Sequence, residues 1–127
     1  MNNSTVSRIA TIVFAIVIAV FGILHFKDPD FIAVRVPDFL PGGKLWVYLV
    51  GGALILAAIA FLINKQARLA GFLLALLLVI FALTVHLPGY LNTAGKDEQY
   101  GEFMNLLKDT GLAAAALLIA SRSEANA

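Results

Sequence analysis

The stretch LAGFLLALLLVIFALTVHL, residues 69–87, holds no charged side chain. Its core, FLLALLLVIFAL (72–83), shows none of the period-two alternation that a membrane barrel strand would carry. A helix crossing ~30 Å of hydrocarbon needs about 20 mostly apolar residues, and backbone groups in lipid must bond within their own segment. The stretch therefore predicts a membrane-spanning helix over 69–87, closed by Pro88-Gly89.

Reading outward, residues 8–27 and 45–64 give two more spans of the same kind, and 103–121 a fourth. The fourth is the weakest. Its uncharged core, Thr110 to Ser121, would make only about 18 Å of helix. It crosses only by taking in residues 103–109, with Lys108 and Asp109 among them. The expected fold is all-α: a transmembrane four-helix bundle, one domain over 1–127, with a folded outer loop between helices 1 and 2. The first apolar stretch is longer than a signal-peptide core and no small-x-small site follows it, so it reads as an uncleaved helix.

Composition agrees. Apolar residues make up 61% of the 127 and charged ones 13%, against about a quarter charged in a soluble domain. Too little polar surface remains for water to be the whole solvent, so the lipid bilayer is the expected partner. The net charge of +1 and the absence of a basic patch argue against nucleic acid. There is no cysteine, which removes thiol relays, iron–sulfur ligation and thiolate metal sites; no metal site is expected.

Lys65 and Arg68 lie in the tight turn between segments two and three, and Arg8 and Arg122 flank the termini on the same side. By the positive-inside rule that side is cytoplasmic, which places both termini inside and two larger loops outside. Trp46, Tyr48 and Tyr90 fall where an outer aromatic belt would lie. The first outer loop, KDPDFIAVRVPDFLPGGK (27–44), begins with Asp28-Pro29, a helix-start signature. It is too apolar to face water alone, so it is expected to fold back as a lid. The second, NTAGKDEQYGE (92–102), reads as polar and flexible.

Helices in lipid pack through small residues. Ala15, Ala19 and Gly22 form a stripe that His25 continues. Gly71, Ala75 and Ala82 form another, continued by His86. Ala113, Ala116 and Ala120 extend backwards to Asp109, Asn105 and Glu102. Steps of three and four keep residues on one face. His25, His86, Asp109 and Asn105 thus become candidate ligand-binding residues near the outer end of the bundle, with no catalytic residue singled out. An acid below the membrane boundary costs at least ~2.5–3.5 kcal/mol near mid-helix, so Asp109 is a functional candidate by default. Each has a plainer reading. His25 could bond a loop carbonyl, His86 a carbonyl freed by Pro88, Asp109 could pair with Lys108 or Arg35, and Asn105 could join helices. Glu102, Arg35 and the loop acids read as solvated charge. Gly51-Gly52 and the Ala53/Ala57 pair serve a homo-oligomer seam as readily as internal packing.

The segment GILHFKDPDFIAVRVPDFLPGGKLWVYLVGGALILAAIAFLINKQARLAG (22–71) and the last helix, MNLLKDTGLAAAALLIA (104–120), resemble the DoxX family of small four-helix bacterial membrane proteins. Gly22, His25-Phe26, Pro29, Phe31, Val36-Pro37, Leu40-Pro41, Gly51-Gly52 and Arg68 carry the likeness. The resemblance implies a four-helix fold in the bacterial inner (plasma) membrane. Some relatives are linked to quinone-dependent sulfur oxidation, others to oxidative-stress complexes or receptor assembly. It supplies no catalytic set.

The expectation is an accessory or ligand-binding subunit of membrane redox metabolism, with a quinone or small lipid as ligand and a redox partner supplying electrons, rather than an enzyme acting alone. The alternative is a scaffold or assembly factor for other membrane proteins. Haem held between His25 and His86 is a weaker third reading.

Overall fold

A computed structural model describes residues 2–123 of the chain; residue 1 and residues 124–127 of the expected domain lie outside the described residues. The described residues are helical, without strands. Four helical stretches, Asn3–Lys27, Lys44–Ile63, Ala67–Asn92 and Lys96–Arg122, are long and apolar enough to cross a membrane.

The elements are α1 (Asn3–Lys27), a short α2 (Pro29–Ala33), α3 (Lys44–Ile63), α4 (Ala67–Phe81), a π-helical turn (Ala82–His86), α5 (Leu87–Asn92) and α6 (Lys96–Arg122). Asn2 caps α1, its side chain accepting from the Thr5 N–H at 2.8 Å. Asn64 ends α3 in the left-handed region at φ 54°. Arg8 of α1 donates to the carbonyls of Phe61 and Leu62 in the last turn of α3, where the i+4 amides that would satisfy them are missing. The α1 entry and the α3 exit are thereby tied at the terminal end of the bundle.

Packing follows the small-residue stripes. The α1 helix lies antiparallel on α3, and α4 antiparallel on α6. A side chain at Gly22 would meet Ile55 at 2.7 Å and the Gly51 carbonyl at 3.0 Å. One at Gly71 would meet the Ala116 carbonyl at 2.8 Å. Backbones approach here because no Cβ stands between them. Ala15, Ile18, Phe61, Ala75, Ala113 and Ala116 are buried at the centre, with Phe14 against Phe61 at 5.9 Å between ring centroids. Gly51 is consumed by this internal packing, while a side chain at Gly52 would meet nothing within 4 Å.

Two boundaries differ from expectation. The third span does not stop at residue 87 but runs through Pro88 to Asn92. Proline cannot donate its missing N–H and its ring crowds the preceding turn. The backbone accommodates it with a wider π turn, in which the Leu87 N–H bonds Ala82 five residues back. The fourth helix starts at Lys96 rather than near 103, so most of the segment expected to be a flexible loop is the first two turns of α6. Asp97 and Glu98 lie in its first turn, where the helix dipole favours acids.

The connection between α1 and α3 contains α2 followed by turns, with Gly42 and Gly43 at positive φ before Lys44. Lys44 pairs with Asp30 at 2.6 Å. The Trp46 indole donates to the Pro41 carbonyl at 2.6 Å. Phe31, Val34 and Phe39 point outward and are exposed.

Candidate functional site: a histidine between two carboxylates

At the end of the bundle opposite the termini, the π turn presents His86 to α6. Its Nε2 lies 2.9 Å from Asp109 Oδ2 and its Nδ1 3.2 Å from Glu102 Oε2. Glu102 and Asp109 are seven residues apart, two helical turns, so they share a face of α6. Both are buried, 8% and 4% exposed. Glu102 can come this close because Gly89 carries no Cβ; one there would meet Glu102 Cδ at 2.9 Å.

Cations close both ends of this chain of groups. Arg35, from the connection after α2, forms an ion pair with Glu102 Oε1. Lys108 Nζ stands 3.8 Å from Asp109 Oδ1 and 5.0 Å from the centre of the Phe21 ring of α1. The sequence Arg35–Glu102–His86–Asp109–Lys108 therefore joins the first connection, the third span and α6, and touches α1 through Phe21. No described buried side-chain polar atom lacks a partner, as low-dielectric burial requires.

Proton arithmetic gives the site its chemistry. An ionised carboxylate only accepts, and a neutral imidazole donates from one nitrogen and accepts at the other. For each ring nitrogen to share a proton with the carboxylate it faces, two protons must be distributed over Glu102, His86 and Asp109. Either the ring is an imidazolium between two carboxylates, or it is neutral and one carboxyl is protonated. The second proton has alternative homes along a continuous line of polar atoms. The two carboxylates take opposite ring nitrogens, so the three groups do not converge on one point as metal ligands would.

The four residues singled out by sequence fare differently. His86 and Asp109 are brought together. Asn105, half-buried on the same helix between Glu102 and Asp109, accepts from Lys108 at 3.5 Å. His25 is held elsewhere: its Nδ1–H donates to the Phe21 carbonyl of its own helix at 2.7 Å, and its Cβ packs at Gly51 in the α1–α3 seam. Joint ligation of haem by His25 and His86 would require His86 to give up one of its carboxylate contacts, whereas the His25 bond to Phe21 leaves its Nε2 free.

The expectation of solvated charge fails for Glu102, which is buried and central, and Arg35 has a specific partner in it. Glu102 carried a signal, its place on the α6 stripe. Arg35 carried none, since a turn has no periodicity to aim a side chain.

Fold and site together define a compact helical protein of four membrane-length spans with a buried carboxylate–imidazole–carboxylate chain at one end. Residues 14–121 match the family described as a domain of unknown function, DUF8561, and the chain belongs to that family. No curated protein and no solved structure matches the chain.

Proposed function

We propose that this is a small multi-pass membrane protein that binds a quinone or similar small lipid at the His86 end of the bundle and handles the proton that goes with it. The observation that carries this reading is the occupation of both His86 nitrogens by buried carboxylates. A ligand oxygen arriving at either end of the chain displaces one partner and meets a group able to donate or accept a proton. Arg35 and Lys108, each only partly buried, are the natural first contacts. Reduction of a quinone takes two electrons and two protons; the chain would pass protons, and a redox partner in or on the membrane would supply electrons. The protein then acts as an accessory subunit rather than alone, in keeping with its resemblance to DoxX proteins.

In this reading the connection from residue 28 to 43 acts as a lid, with Arg35 latched to Glu102 and Phe31, Val34 and Phe39 dipping into the interface. Arg8, Lys65, Arg68 and Arg122 at the opposite end support cytoplasmic termini in a bacterial inner membrane.

The test is extraction. Protein purified in mild detergent is extracted with organic solvent, and the extract is analysed by mass spectrometry and ultraviolet difference spectra. A quinone should be retained near one per chain in wild type and in His25→Gln. It should fall at least tenfold in His86→Ala and Asp109→Asn. Absence of any such lipid, or equal retention in all four proteins, would contradict the reading.

A second reading, a scaffold for other membrane proteins or a homo-oligomer, is favoured by one observation. An apolar groove of about 260 Å³ opens between α3 and α4, lined by Ala53, Leu56 and Ala60 and by Leu69, Ala70 and Leu73. Because the chain has no cysteine, a single Ala53→Cys variant reports directly whether copies meet there: disulfide cross-linking in membranes supports the seam.

A further inference from the structure

The α1 helix leans on α3 and α6 leans on α4, and α1 and α6 barely touch. They part towards the terminal end, leaving an open cleft of about 1080 Å³ far from His86. Its upper wall is apolar, with Phe14 of α1 facing Leu118 and Ile119 of α6. Its mouth is polar and basic, with Arg8, Thr11 and Arg122, and no acid is among the described residues that line it. Arg8 spends two of its five N–H groups on the Phe61 and Leu62 carbonyls, which fixes the guanidinium at the mouth with donors to spare.

We infer that this cleft is a binding site for an anionic phospholipid of the surrounding bilayer. The phosphate would sit between Arg8 and Arg122, and an acyl chain would run up the wall formed by Phe14, Leu118 and Ile119. The match is one of charge and of polarity with depth. A wedge between two spans opens sideways to lipid, not to water. Its apolar part lies where acyl chains lie, and its two cations lie at the height of a headgroup. Basic pockets between spans on one membrane side hold anionic headgroups for this reason. A zwitterionic lipid satisfies the apolar wall equally well, so selectivity rests on the arginines. Arg68, in the first turn of α4 and set over the Phe72 ring at 5.6 Å, lies at the same end of the bundle but not in the cleft.

The experiment uses the full chain in nanodiscs made from equal parts phosphatidylglycerol and phosphatidylcholine, with lipids retained after gentle detergent release counted by native mass spectrometry. Phosphatidylglycerol should be enriched about fivefold or more over phosphatidylcholine in wild type and in Arg68→Gln. Arg122→Gln should bring the ratio towards parity. Ala115→Trp, which fills the cleft without touching charge, should reduce the number of retained lipids of both kinds. Helical content by circular dichroism confirms that each variant is folded. Retention at the bulk ratio in wild type would overturn the inference. So would a loss in Arg68→Gln as large as in Arg122→Gln, since that would be a general effect of surface charge. Unchanged retention in both Arg122→Gln and Ala115→Trp would overturn it as well.

Discussion

His86 and Asp109, on different spans, meet at 2.9 Å between Nε2 and Oδ2 in the middle of a run of charged groups at one end of the apolar core. His86 stands at the end of a π turn that accommodates Pro88, on a span whose other end is drawn against α6 at Gly71. The Asp109 carboxylate, buried in the bundle, thereby keeps a close ionisable partner.

The first prediction concerns asymmetry. Removing one member of a buried charged pair strands the other and costs about 3–5 kcal/mol, whereas replacing both by apolar groups is far milder. His86→Leu should therefore destabilise the bundle by about 3 kcal/mol in reversible detergent unfolding. His86→Leu combined with Asp109→Leu should recover part of that loss. Additive losses in the double variant would mean that the two residues act independently.

The second separates two neighbouring kinds of glycine. Gly71→Ala places a methyl against the Ala116 carbonyl, which cannot yield without moving α6. Overpacking of this kind costs typically about 1–3 kcal/mol. Gly52→Ala meets open space and should change stability by less than about 1 kcal/mol, in the stabilising direction expected of alanine in a helix. Thermal unfolding of both variants in one detergent checks the contrast.

The third concerns the Arg35 latch. Glu102→Gln removes the charge that holds Arg35 and should loosen residues 28–43. Amide hydrogen exchange there should rise several-fold while α3 and α4 keep their protection. Arg35→Gln should give the same loosening. Exchange unaltered in both would show that the connection is held by its own turns and not by α6.

The fourth is a negative expectation with content. His25 bonds a carbonyl of its own helix and has no part in the His86 chain. His25→Gln should change stability by less than about 1 kcal/mol, within the usual range for one hydrogen bond, and leave ligand retention as in wild type. A large loss of ligand would place His25 in the binding site.

Much of this arrangement is legible in the sequence. Gly71, Ala75, Ala113 and Ala116 announce their face by spacing alone, because lipid-embedded helices have few other ways to pack. The same arithmetic puts His86 and Asp109 on inward faces, and the structure joins them. Three features are not readable this way. The π turn is invisible because hydropathy does not register which carbonyl an amide chooses. The early start of α6 is hidden because Lys96, Asp97 and Glu98 look like loop residues, although acids in the first turn are what a helix start prefers. Glu102 is the instructive case: its charge argued for water and its place on the stripe argued for burial. The stripe prevailed because Arg35 and His86 each supply a partner, and residue type alone cannot reveal partners that come from a distant turn.

The central claim is that one imidazole is engaged at both nitrogens, by Glu102 on one side and Asp109 on the other. Nitrogen-15 solid-state NMR of ring-labelled histidine in lipid bilayers reads this directly, with His25→Gln used to assign the two histidines. Both His86 nitrogens should show the shifts of hydrogen-bonded sites. Glu102→Gln should move chiefly Nδ1, and Asp109→Asn chiefly Nε2. A His86 nitrogen with the shift of a free lone pair, or spectra that neither substitution changes, would contradict the account.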